Sequence, residues 1–283
     1  MKKPIYFIVA QPRGASTLLQ QLLISNLHVG YISNYLATYY DSHNKGLILE
    51  KDILDTNYKS NFLSMYGNTE GDNEPHEWGW FWKEQLGLKN QEHYADNITY
   101  DKLQSSLNDI LSFKELPLLI DNVYAMANLI KLKNKFRNIK VINLTRDLYF
   151  ICNSIINARM SRYNNIEAFY GHPPKNIEEV LKIKNPIEQI VFQVKSIQNE
   201  INLIEENFNK NDILNIDYED IYNDSFSVVN NFYKFVQQDN IELRFKEKHL
   251  PKLQYRNNSS LINIKYKDEL DFYYNKYFGN KDD

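Results

Sequence analysis

The sequence predicts an α/β fold: a parallel sheet with helices on both faces, three layers in all. Two observations carry this. Short, continuously apolar runs of strand length recur along the 283 residues, and each leads into a stretch whose apolar residues fall at helical spacing. Buried strands alternating with helices imply crossover connections, and crossovers give parallel strands covered on both faces.

The elements follow in order. "IYFIVA" (5–10) is the first strand, and it leads to a helix over Thr17–Leu27 in which Leu18, Leu19, Leu22, Leu23 and Leu27 share a face. "TYDKLQSSLNDILSF" (99–113) reads as a helix. "LPLLID" (116–121) leads to the helical pattern "AMANLIKLKNKF" (125–136), and "IKVINLT" (139–145) leads to "YFICNSIINAR" (149–159). A long helix covers 186–208. "DILNIDY" (212–218) then leads through "EDIYND" to "SFSVVNNFYKFVQQ" (225–238). Two stretches break the rhythm: residues 30–100 are aromatic and irregular, and 161–185 carry Gly171 and the Pro173-Pro174 pair. Long insertions in a sheet of this kind build the substrate site or a lid, because ligands bind at the carboxyl ends of the strands.

Composition narrows the class. A hydrophobic content of 43% is enough for a substantial core, and no shift in composition marks a second domain. Lys+Arg total 33 against 36 Asp+Glu, a net charge of −3, which gives no footprint for a phosphate backbone. Nucleic acid is therefore not an expected partner. No apolar run approaches the ~20 residues of a membrane span, and the N-terminal apolar stretch meets Gln11 and Arg13 early. Cytoplasmic residence is expected, and the single cysteine, Cys152, agrees with a reducing compartment.

The loop after the first strand, "AQPRGASTLL" (10–19), carries the chemistry. A turn from strand to helix aims free N–H groups and the positive end of the helix dipole at one spot. Gly14 and the small Ala15 let a ligand approach the backbone, Ser16 and Thr17 add hydroxyls, and Arg13 adds a fixed cation, so the loop suits a phosphate-like dianion. An ATP-binding loop has lysine where Ala15 stands, which weakens the case for a magnesium nucleotide. Taken alone, the loop also reads as a helix start capped by Ser16 or Thr17. In "VINLTRDLYFICNS", Arg146 ends a strand, Asp147 is placed to cap the next helix, and Ser154 falls about 9–10 Å along that helix. An arginine at the edge and a serine further in can clamp a second phosphate.

These two motifs resemble those of the sulfotransferases that use 3′-phosphoadenosine 5′-phosphosulfate (PAPS). Many bacterial and Golgi members carry Pro-Arg-Ser-Gly-Thr-Thr-x-Leu after the first strand and Arg-Asp-Pro-x-x-x-x-x-Ser after a later one. Pro12, Arg13, Ser16, Thr17 and Leu19 match the first, and Arg146, Asp147 and Ser154 match the second. "ILNIDYEDIYND" is similar to the family's strand ending in Tyr-Glu-Asp. The departures are Gly14-Ala15 for Ser-Gly, Leu148 for the proline, and Asn122 where many members have lysine.

The resemblance implies a P-loop-like sulfotransferase domain over residues 1–283, its acceptor site shaped by the segments at about 30–100 and 161–185. It implies that Arg13 and the amides of Gly14, Ala15, Ser16 and Thr17 hold the 5′-phosphosulfate, and that Arg146 and Ser154 hold the 3′-phosphate. Arg256 in "QYRNNSS" falls in a C-terminal loop of the kind that closes over the nucleotide. Arg159 and Arg162 read as ordinary surface charge. The expected product is adenosine 3′,5′-bisphosphate (PAP), the acceptor a small-molecule hydroxyl, and no metal is required.

Sulfuryl transfer needs Arg13 to neutralise the leaving phosphate and a base to accept the proton. The segment "GDNEPHEWGWFWKEQLG" (71–87) supplies Glu77 as first candidate and His76 as second, because Pro75-His76-Glu77-Trp78 is similar to the Pro-x-Glu-Tyr-Phe pattern of trehalose sulfotransferases. Against this, Pro75 near a helix start would put Glu77 in a first turn, where a carboxylate simply stabilises the helix. Trp78, Trp80 and Trp82 read as core or as an acceptor wall. His43 is placed to reach the site from its loop; His28, His93 and His249 read as surface or packing residues, and His172 belongs to the proline-rich insertion. Two rivals remain at this level: a P-loop kinase, because "LLID" ending at Asp121 resembles a magnesium-binding strand, and a nucleotide-binding protein without catalysis, because of Ala15.

Overall fold

The structure is a computed structural model that describes residues 3–39, 42–53, 58–252 and 262–279. The chain opens with β1 (Ile5–Ala10) and α1 (Ser16–Asn26). The first insertion holds α2 (Asn34–Ala37), α3 (His43–Ile53) and α4 (Gly79–Leu86), before α5 (Tyr100–Lys114) and β2 (Leu118–Asp121). Next come α6 (Val123–Ala127), α7 (Leu129–Lys133), β3 (Ile139–Thr145) and α8 (Leu148–Tyr163). The second insertion carries α9 (Ile177–Lys182), and α10 (Pro186–Asn207) leads to β4 (Ile213–Asp217). The chain closes with α11 (Tyr218–Asn223), α12 (Ser225–Gln237) and α13 (Lys267–Phe278).

Among the described residues, four strands pair in parallel in the order β2-β1-β3-β4. Side-chain alternation along β1 divides the core. Ile5, Phe7 and Val9 face a layer built from α4 to α7 and the C-terminal half of α10, while Tyr6, Ile8 and Ala10 face α1 and α12. The expected three-layer α/β architecture is present.

Two local expectations are corrected. The helix expected over 125–136 is broken at Asn128, whose side chain accepts the Ala95 N–H at 2.8 Å and donates to the carbonyls of His93 and Tyr124, each at 2.8 Å. Those bonds tie the break to the first insertion. Helix α1, expected to bury one face, is buried nearly all round. Gln21 donates to Glu74 (2.8 Å) and Asn26 to the His249 carbonyl (2.7 Å), so the first insertion and the segment after α12 cover its outer side.

The turn from β1 to α1 also differs from its reading. Arg13 (φ 69°) and Ala15 (φ 76°) occupy the left-handed region, and Gly14 does not. Gly14 is needed for space: a Cβ there would stand 2.7 Å from the Gln11 carbonyl oxygen, to which the Gly14 N–H already donates at 2.8 Å. The amides available to a ligand therefore begin at Ala15, one residue later than expected. Neither Ser16 nor Thr17 caps the helix; the N-cap position is Ala15, which has no side chain to cap with.

Left-handed backbone costs an alanine roughly 1–2 kcal/mol that a glycine avoids, offset in part by glycine's freedom when unfolded. Ala15→Gly is expected to stabilise the protein by about 0.5–1 kcal/mol, raising Tm by about 1–4 °C in thermal unfolding, whereas Gly14→Ala lowers it.

Candidate active site

The strand order reverses direction at β1: the chain first crosses to β2 on one side and later to β3 on the other. Loops leaving the carboxyl ends on opposite sides open a crevice there. In that place lies a cavity of about 1020 Å³, whose wall includes Arg13, Ser16 and Thr17 from the loop, Glu77, Asp121 and Arg146. Ligand pockets run to about 1,000 Å³, so this one has room for a nucleotide and a second molecule.

One side of the crevice is cationic and interlocked. Arg13 Nε lies 3.2 Å from Ser154 Oγ, so two residues 141 positions apart, which the resemblance assigned to different phosphates, meet directly. Arg146 Nη1 donates to the Arg13 carbonyl oxygen at 2.7 Å, and its guanidinium lies 4.5 Å from the ring centre of Tyr218, the first residue of α11. Asp147 caps α8 as expected, accepting the Tyr149 N–H at 2.8 Å. The Tyr66 ring, from the first insertion, is approached by Arg13 at 5.1 Å and by Arg162 at 5.5 Å. Arg162, read from sequence as surface charge, thus lines the cavity. Arg159 is fully buried instead, donating to the Ile166 carbonyl and packing on Phe169. Arg256 lies outside the described residues. The first-turn N–H groups of α1 meet no side-chain cap, so they and the helix dipole are left for an anion.

The other side carries two carboxyls. Asp121 ends β2, is buried, and takes a hydrogen bond from Ser16, while its Oδ2 has no partner among the described residues. Burial pushes its carboxyl above the ordinary range. Glu77 is pushed up to about 8, first by burial and then by Asp121. Two like charges lining one crevice resist ionising together. Glu77 is held by its backbone, whose carbonyl accepts from Asn122 Nδ2 at 2.8 Å. Its side chain presses on Gly67 (φ +86°), where an added Cβ would fall 2.6 Å from Glu77 Oε1.

The expectation that Glu77 sits in a helical first turn is overturned. Helix α4 starts at Gly79, after Trp78 in a left-handed conformation (φ 56°), so Glu77 precedes the helix and does not serve its dipole. His76 is placed off the cavity wall: its Nδ1 accepts the Trp78 N–H at 2.7 Å, and burial lowers its pKa. His43 also points elsewhere, packing edge-on against Trp78 and Phe81. Trp78 and Trp82 are core, with Trp78 stacked on Phe81 at 3.8 Å, and half-buried Trp80 donates to the Ala37 carbonyl. Cys152 is buried, and burial pushes its thiol up.

Several wall residues escaped sequence reasoning. His93, His172 and His249 line the cavity, as do Tyr66 and Gly67. Each comes from irregular chain, where periodicity gives no direction to a side chain. Glycine in "MYGNTE" was the one available signal, since a lone glycine in a polar loop often marks close approach.

A raised carboxyl pKa makes stability fall as pH rises. Folded Glu77 holds its proton to about pH 8 while the unfolded residue releases it near its ordinary value, so the folded state loses relative stability across that window. Glu77→Gln removes the titration. The variant's Tm is expected to exceed the parent's by at least ~2 °C at pH 9 and to converge with it near pH 5; thermal unfolding across pH 5–9 checks this, and a parallel offset at every pH would contradict it.

No protein-family profile matches the sequence, and no curated protein does. Among solved structures, the chain is similar to the sulfotransferase STF9 from Mycobacterium avium, with 13% identity, 99% of this chain and 78% of that one covered, and a TM-score of 0.55. It is also similar to the sulfotransferase STF1 from Mycobacterium tuberculosis H37Rv, with 14% identity, 84% and 70% covered, and a TM-score of 0.50. The chain has the fold of these bacterial sulfotransferases.

Proposed function

We propose that the chain transfers a sulfuryl group from PAPS to a hydroxyl of a small-molecule acceptor. The observation that carries this reading is the junction of Arg13 with Ser154 and Arg146 beside an uncapped helix start. It puts three guanidiniums, those of Arg13, Arg146 and Arg162, on the wall of one cavity, an environment suited to a ligand with two separated phosphate-like anions.

In the proposed reaction the acceptor oxygen bonds to sulfur as the bond from sulfur to the 5′-phosphate oxygen breaks. Arg13 and the amides of Ala15, Ser16 and Thr17 stabilise the charge that grows on the leaving phosphate. Glu77 takes the hydroxyl proton in its ionised form, whose share grows as pH rises toward about 8; burial and the neighbouring Asp121 give it this high proton affinity. Arg146 and Ser154 hold the 3′-phosphate. Each of these groups acts on charge or a proton, and none needs a metal.

One observation favours a second reading. Ser16 against Asp121 is an arrangement that suits a magnesium ion beside a nucleoside triphosphate, as in P-loop kinases. Ala15 in place of the loop lysine weighs against it.

Calorimetric titration with PAP and, in parallel, with ATP plus magnesium separates the two, and PAP is expected to bind more tightly. Arg146→Ala is expected to weaken PAP at least tenfold more than adenosine 5′-phosphate, which lacks the 3′-phosphate; equal weakening would remove the 3′ assignment. Glu77→Gln is expected to lower kcat by about 10²-fold or more while leaving PAP affinity unchanged, and retained turnover would exclude Glu77 as the base.

A further inference from the structure

A chain of four hydrogen-bonding side chains ends on the cavity wall. The Tyr94 hydroxyl lies 2.6 Å from Glu200 Oε2 on α10, 3.2 Å from the Pro173 carbonyl oxygen and 3.2 Å from His172 Nε2. His172 Nδ1 lies 2.9 Å from His93 Nδ1. Both histidines line the cavity. Glu200 is fixed from behind, its Oε1 accepting the Lys175 N–H at 2.6 Å.

The chain has a direction. A phenol has one hydrogen, and the carboxylate and carbonyl oxygens beside Tyr94 are acceptors only, so that hydrogen points outward to them. The phenol oxygen must then accept from His172 Nε2–H. His172 is buried, its pKa held far below the ordinary histidine value by burial and by the neighbouring His93, so it carries one proton and its Nδ1 is bare. That bare nitrogen accepts from His93 Nδ1–H. His93, lowered by burial to about 4, is also neutral, so its Nε2 carries the lone pair.

We propose that His93 Nε2 receives a second, non-reacting hydroxyl of the acceptor, and that the acceptor is therefore a polyol of the carbohydrate class. Glu77 and His93 are both anchored at the carboxyl end of β2: Glu77 through Asn122, and His93 through its ring against Tyr124 at 4.6 Å. Glu77, placed for the reacting proton, and His93, locked by its partners as a lone pair, lie on one cavity wall and together match a ligand with at least two O–H donors. The aromatic rings of Phe169 and Tyr170 on the same wall supply faces for a sugar ring. A ligand without the second hydroxyl would leave His93 Nε2 without a partner from the ligand, which sites built to hydrogen-bond a substrate hydroxyl reject. Glu200, Tyr94 and His172 are positioning residues that set the tautomer; His93 touches the acceptor. The catalytic consequence rests on the sulfuryl-transfer reading, whereas the tautomer and the polyol contact do not.

Histidine nitrogen NMR of the 15N-labelled full chain tests the two separately from activity. His93 is expected in the Nδ1–H form, and Tyr94→Phe is expected to release it to the Nε2–H form usual for free histidine. Methyl glucoside is expected to shift His93 Nε2, while tetrahydropyran, the same ring without hydroxyls, leaves it unmoved. An Nε2–H tautomer in the parent, no response to the glucoside, or an equal response to phenol each overturns the proposal. With PAPS and a disaccharide acceptor, His93→Leu is expected to raise acceptor KM at least tenfold with PAP affinity unchanged, and His93→Gln to recover part of the loss. An unchanged KM overturns this inference alone, whereas failure of the parent to bind PAP overturns the transfer reading and leaves the NMR result to judge the polyol site.

Discussion

The arrangement depends on the clasp between the β1–α1 loop and the start of α8. Arg146 holds the Arg13 carbonyl and Ser154 holds the Arg13 guanidinium, so one residue is gripped at both its backbone and its side chain. That grip holds Arg13 in the left-handed region, and Ala15, two residues on, adopts it as well, in a loop that supplies glycine at neither position. Packing on both faces of β1 fixes the strand end, β3 fixes Arg146, and the loop between them has nowhere else to go.

Charge is separated inside a chain that is almost neutral overall. The net charge of −3 conceals a crevice with three guanidiniums on its wall and two carboxyls, buried Asp121 against Ser16 and half-buried Glu77. Burial raises the proton affinity of the carboxyls, and the guanidiniums give the opposite wall its positive charge. The first insertion contributes to both sides, with Tyr66 against Arg13 and Gly67 against Glu77.

The insertions also meet each other. His93 and Tyr94 come from the segment between α4 and α5, His172 and Pro173 from the second insertion, and their bonds run to α10. Gly171, with φ +96°, packs its backbone within 3.5–3.8 Å of Pro12 as measured from an added Cβ, which brings this bridge against the β1–α1 loop. The irregular chain is thereby tied to the β1–α1 loop as closely as the regular elements are.

By itself the sequence determined the strands, the parallel sheet and the placing of Arg13 and Arg146 at strand ends, because continuous apolar runs have one stable solution and a motif at a strand end inherits the strand's position. Helix starts were less legible: Glu77 read as a first-turn residue because Pro75 precedes it, yet Trp78 turns left-handed and delays the helix to Gly79. Which of two neighbouring residues carries positive φ, whether Arg159 or Arg162 reaches the cavity, and that His93 finds His172 across 79 residues were decided only by the tertiary structure. The reason is physical: local pattern fixes the direction of a side chain only where a helix or a sheet repeats, and the residues in question sit where the backbone does not repeat, so their positions are set by what packs against them.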